Sequence, residues 1–194
     1  MYTIFRIVSQ IVKMKGIFMK KLFALSLLSL STAVLAEGET LYQVSFENAV
    51  HQEARISATF TQVENQVLEV QMSRSSPGRY AMHEFIKNVY NVSAVNSVGQ
   101  PLEVERVNPY QWHIEGHDGE VTLTYTLFGD RADGTYSQID RTHAHLNMPA
   151  TFAWATGHED RAIEVEFTPF QPRWKVATQL VPTSDKYKLS LIHI

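Results

Sequence analysis

The sequence predicts an all-β protein, an antiparallel β-sandwich or a curved, saddle-like sheet, behind an N-terminal signal helix. Three observations predict it. Apolar and polar residues alternate with a period of two over short stretches. Turn signals built on Gly, Pro, Asn and Asp separate those stretches at even spacing. A helical period is almost absent beyond residue 36. The 194 residues include no cysteine, so the sheet must hold by packing and hydrogen bonds, without disulfides or a thiolate metal site.

The N-terminal segment has its own pattern. Met19-Lys20-Lys21 is a short basic run, and residues 22–35 are apolar, softened by Ser26, Ser29, Ser31 and Thr32. Val34 and Ala36 stand at the −3 and −1 positions of a cleavage site. Residues 19–36 therefore read as a secretory signal peptide, too short for a membrane span. Residues 1–18 serve no purpose upstream of a signal and read as an extension from a start codon assigned too early. The expected protein is bacterial and exported, periplasmic or secreted, with no membrane span after cleavage. Residues 37–188 are enough for one domain, which at this size buries about 70% of its unfolded surface.

The elements follow in order. Residues 41–46 are a first strand. Residues 53–63 alternate, with Ala54, Ile56, Ala58 and Phe60 on one face, and Glu64-Asn65 turns the chain. Residues 67–72 are expected to pair back as a hairpin, although Val67, Val70 and Met72 do not alternate cleanly. Ser75-Ser76-Pro77-Gly78 is a turn, because Pro presets φ and Gly supplies positive φ. Residues 80–92 admit a short helix or an irregular extended segment, and 97–101 turn again. Strands at 103–107 and 111–114 flank Asn108-Pro109. Asp118-Gly119 is expected to make a hairpin into 121–128, where Val121, Leu123, Tyr125 and Leu127 share a face. A polar loop at 129–138 precedes late strands at 162–167 and 174–177. Residues 189–194 resemble one reading frame of a sequencing-adapter end and read as an artefact, the alternative being an apolar terminal strand.

Composition excludes some functions. The net charge is −3 with His neutral and no basic patch stands out, which argues against nucleic acid as a partner. His83-Glu84 opens like a zinc-protease helix, but the fifth position is Lys87, whose ammonium has no lone pair for a metal. No nucleophile elbow or Gly-rich phosphate loop appears, and Glu103 with Glu105 carries no weight as an acid/base pair. No catalytic or metal-ligating residue is therefore assigned. His143-Ala144-His145 could present two imidazoles on one strand face, with His158, Glu159 or Asp160 as a third ligand. The spacing does not fix that third ligand, and two imidazoles in a loop or on a sheet surface, making hydrogen bonds, are the favoured reading. The aromatic residues fit a β core, whereas a sugar-binding platform would need several exposed and coplanar. Asn91-Val92-Ser93 fits a glycosylation sequon and, behind a bacterial-type signal, reads as chance.

A set of short motifs occurs in a fixed order: the opening strand Leu41-Tyr-Gln-Val-Ser-Phe46, the turn Ser76-Pro-Gly-Arg-Tyr80, then His83-Glu-Phe85 and Lys87-Asn-Val89. Asn91-Val-Ser-Ala94, Gly99-Gln-Pro-Leu102, Thr142-His-Ala-His-Leu-Asn-Met-Pro149 and Trp174-Lys-Val-Ala-Thr178 follow. In this order they resemble the N-terminal domain of the glycyl aminopeptidase family (peptidase family M-sixty-one). The resemblance implies a noncatalytic β domain joined to a thermolysin-like zinc catalytic domain and a PDZ domain. These are its expected partners, with a peptide substrate. Zinc would polarise the scissile carbonyl and activate water in the complete enzyme, which removes small N-terminal residues. Nothing here matches the zinc helix, so this chain is expected to carry no cofactor and to be inactive alone. The domain is expected to wall the substrate cleft. By position before Pro149, His145, Asn147 and Met148 are expected to approach it, unless they only pack. The competing expectation is a stand-alone secreted binding module for sugar or protein.

Overall fold

The structure, a computed structural model, describes residues 38–183 and 188–191. The expected signal peptide and upstream extension lie outside the described residues. Period-two alternation governs most of the rest. In β1 (Glu39–Ser45), Thr40, Tyr42 and Val44 turn inward, and β2 (Glu53–Phe60) buries Ala54, Ile56, Ala58 and Phe60, as their spacing predicts. β3 (Val67–Met72) buries Leu68, Val70 and Met72. The 80–92 segment resolves into a 3-10 turn at Phe85–Asn88 and then β4 (Val89–Val95), which bulges between Tyr90 and Ser93 where Asn91 takes φ 52°.

β5 (Pro101–Asn108) and β6 (Gln111–Glu115) form the hairpin around Asn108-Pro109. β7 (Val121–Phe128) buries Val121, Leu123, Tyr125 and Leu127 as expected. β8 (Gln138–Ile139) and β9 (Ala144–His145) make a separate two-stranded ribbon. After one helical turn at Met148–Thr151 come β10 (Ala153–Ala155), β11 (Ala162–Thr168), β12 (Val181–Pro182) and β13 (Lys188–Leu191).

Among the described residues the main sheet runs β10-β3-β6-β5-β4-β7-β2-β1-β11-β13-β12. Every pairing is antiparallel except β1 with β11. The fold is all-β, and the sheet curls into a half-barrel. The limb from β10 to β5 joins the rest through only Ala94↔Leu102 and Val95↔Pro101, which lets it fold over the other limb. The inward faces of both limbs supply one core, in which burying each Ile, Leu or Phe contributes about 1.5–3 kcal/mol. Two tyrosines bolt the limbs together. Tyr42 Oη donates to Ala153 O at 2.7 Å. Tyr125 Oη donates to Thr151 O at 2.7 Å and accepts from Ala153 N at 3.0 Å. Burial pushes both phenols above their ordinary range.

Three expectations are corrected. The 53–63 and 67–72 strands are not a hairpin: β2 is flanked by β1 and β7, and β3 by β6 and β10. Both edges of β2 are occupied, and the buried set Leu68, Val70, Met72 belongs to the opposite limb. Asp118-Gly119 likewise does not join a β6–β7 hairpin; the chain crosses from one limb to the other there. Val63 N donates to Gly119 O at 2.9 Å, so the two crossovers brace each other. Third, 174–177 is irregular rather than a strand, because β13 already covers that edge of β11. Pro169 and Pro172, which cannot donate to a ladder, precede it.

Candidate functional site

The irregular 169–180 segment helps line a cleft of about 340 Å³. It is lined by Phe46 just after β1, by Val165 and Phe167 of β11, by Leu146, Met148 and Phe152 from the chain before β10, and by Trp174, Val176 and Leu180 of the irregular segment. The Trp174 ring packs on Phe46 at 5.2 Å and on Phe170 at 6.1 Å, while Phe152 packs on Tyr42 at 4.8 Å. These rings are tilted by 53–59°, not coplanar, so they form an apolar slot and not a flat platform for sugars. Its ionisable lining groups are His145 and Lys175, with no carboxylate among the lining residues. The slot can hold an apolar group beside a cation. It has no acid/base pair for hydrolysis.

His145 and Met148 line this cleft, and Met148 is 45% exposed. Asn147 does not line it. Its amide nitrogen donates to Ser76 Oγ at 3.2 Å and to Thr135 O, and its backbone N donates to Ser137 Oγ at 3.2 Å. Asn147 therefore ties the Ser76 turn and the 129–138 loop to the start of the helical turn. His143 does not line the cleft. It stands against Asp140 and Thr142, with Nδ1 at 3.5 Å from Asp140 Oδ1 and 2.9 Å from Thr142 Oγ1. Asp140 is held at about 2 by the Thr142 hydroxyl and by the backbone N–H groups of Thr142 and His143. Among the described residues no group of three His, Cys, Asp or Glu could hold a metal, so the His143–His145 pair gains no third ligand.

A second, polar pocket of about 370 Å³ opens between the Ser76-Pro77-Gly78 turn and the 129–138 loop. Arg79, His83 and Arg131 line it with Asp133, Thr135 and Tyr136. Asp133 Oδ1 accepts from the N–H groups of Thr135 and Tyr136, both at 2.8 Å, and this Asx turn fixes the loop.

The family model for the Peptidase M61 N-terminal domain matches residues 41–191. The chain belongs to this peptidase family. The crystal structure of an aminopeptidase N family protein from Idiomarina loihiensis shares the fold, with a TM-score of 0.72 at 18% identity. That likeness covers 78% of this chain and 27% of the other, so the chain spans about a quarter of that protein's length. No curated protein matches.

In this peptidase N-terminal domain, part of the cleft was hidden from sequence reasoning. Phe152 looked like one more core aromatic, and 174–177 looked like a strand. Pro169 and Pro172 were the available signal that the chain leaves the sheet there. The polar pocket combines residues some fifty positions apart, such as Arg79 and Arg131, and no local pattern announces it.

Proposed function

We propose that this domain is the noncatalytic N-terminal part of an exported zinc metallo-aminopeptidase that removes small N-terminal residues from peptides. The family match over 41–191 carries the reading. The cleft supports it: an apolar slot edged by His145 and Met148 suits a wall against which a peptide, or the catalytic domain, is placed. Zinc does not fit the residues present, since Lys87 stands where a second His would be and no three-ligand group exists among the described residues. Zinc and the Glu base belong to a catalytic domain elsewhere in the complete polypeptide, with a PDZ domain beyond it. Export rests on the signal pattern of residues 19–36. No helix of the described residues is long and apolar enough to cross a membrane.

The test is a zinc determination on the purified 194-residue chain with an assay on glycyl p-nitroanilide. The expected result is no bound zinc and no hydrolysis with zinc added. One zinc per chain with turnover would overturn the reading in favour of a small metalloenzyme.

A further inference from the structure

We infer that the polar pocket between the Ser76-Pro77-Gly78 turn and the 129–138 loop binds a carboxylate, supplied by a peptide C-terminus or an acidic side chain. This goes beyond the peptidase reading and stands without it. Four observations carry it.

The first is charge. Arg131 Nε is paired with Asp133 Oδ2 at 2.7 Å, but Arg79, on the facing turn, has no ionic partner among the described residues. The Arg79 guanidinium lies over Gly134, close to where a Cβ there would stand (3.6 Å), so it reaches across the pocket. The lining thus carries one positive charge in excess, in a chain whose net charge is −3.

The second is geometry. The Arg131 salt bridge uses Nε, and its guanidinium carbon rests 4.6 Å from the Tyr136 ring centroid. The salt bridge and the buried ring restrain the side chain, leaving the Nη atoms as a planar fork of the kind that receives both oxygens of a carboxylate. Lys87 Nζ lies 5.3 Å from the same ring and fixes it further.

The third is an unanswered polar atom. His83 stacks on Phe85 at 5.2 Å and meets the edge of Tyr136 at 5.8 Å. Its buried Nε2 has no hydrogen-bond partner. His83 lines the pocket, and a buried ring nitrogen without a partner is costly, so this side of the pocket holds an unanswered polar group.

The fourth is selectivity. Asp133 stays ionised in the pocket, because two backbone N–H groups and Arg131 lower its pKa. One excess positive charge beside a fixed carboxylate matches a monoanion and disfavours a phosphate dianion. Tyr80, fully exposed at the rim, offers an aromatic face to the rest of a peptide.

The test is an amide NMR titration of the labelled 194-residue chain, following Arg79, Gly134 and Thr135. The probes are acetyl-Ala-Ala-Ala with a free carboxylate, its C-terminal amide, acetyl-Ala-Glu-Ala amide, sodium acetate and inorganic phosphate. Binding of the free-carboxylate peptide identifies a peptide C-terminus as the source, and binding of the Glu peptide identifies an acidic side chain. The uncharged amide is expected to cause no shifts. R79Q and R131Q, both at exposed residues, are each expected to weaken binding at least about fivefold. R55Q, removing the same charge from the outward face of β2, is expected to leave it unchanged. The amide binding as well as the acid, R79Q and R131Q both binding like the parent chain, or phosphate binding more tightly than acetate would each overturn the inference.

Discussion

Tyr125 shows how much one buried hydroxyl can settle. Its ring is fully buried on β7, and its oxygen serves both Thr151 O and Ala153 N on the opposite limb. Tyr125→Phe keeps the ring and leaves two buried backbone groups unpaired, so it is expected to cost about 3 kcal/mol, read from the urea midpoint. Tyr90→Phe is the contrast. Tyr90 is 37% exposed and bonds the Glu53 carboxylate, and burial together with that carboxylate pushes the phenol up to about 12. Water replaces that bond, so the expected cost is about 0.5 kcal/mol. The alternating pattern made the burial of Tyr125 legible, but nothing local told where its hydroxyl would go. Asn147 is a similar case. Its neighbours His145 and Met148 reach the cleft, whereas its partners lie 12 and 71 positions away and pull it elsewhere.

His158 gives a pH-dependent expectation at the same scale. Burial, and then Arg161, lower its pKa, so the folded protein favours the neutral ring, which meets the edge of Phe60 at 6.0 Å. A lowered folded pKa means a contribution that is complete above the ordinary value of 6.5 and lost as pH falls through the folded value. Melting temperature is therefore expected to fall as pH drops below 6.5, and His158→Leu is expected to flatten that decline. An unchanged slope in the variant would show that other groups control it.

At the scale of elements, faces were legible and partners were not. The buried sets of β2 and β7 follow from alternation alone, since period two assigns each side chain to a side of its own strand. Pairing depends on which edge is free once the whole chain has folded, so the crossovers at 61–66 and 116–120 were mistaken for hairpin turns. The Asn96–Gln100 turn between β4 and β5 is a true hairpin. Gly99 takes φ +79° there, and an added Cβ would meet nothing within 4 Å. Gly99→Ala is therefore expected to cost only the left-handed strain, about 1 kcal/mol, with the register kept; a melting curve with a strand-exchange map checks both. The outermost strands of the sheet are short, β10 with three residues and β12 with two, which limits edge-to-edge pairing with other chains.

At the scale of the molecule, the two limbs of a curled sheet close on a shared core, and the segment that leaves the sheet after Pro169 creates the apolar cleft. The all-β class was legible because every strand carries its own alternation. The curl was not, because it follows from the two-pair junction of β4 with β5 and from the tyrosine bolts, both non-local. In the complete polypeptide, the cleft reading expects Met148→Lys to change KM for peptide substrates or the heat stability of the assembly, since it would place a charge in an apolar slot. Both unchanged would remove the cleft from the functional account.

The proposed role in a zinc aminopeptidase requires a catalytic domain encoded in the same gene. The most direct measurement is the genomic DNA sequence read onward from the codon for Lys188. The account predicts that the frame continues into a His-Glu-x-x-His helix and then a PDZ domain. A stop codon in intact genomic DNA with no such helix encoded in frame would contradict it.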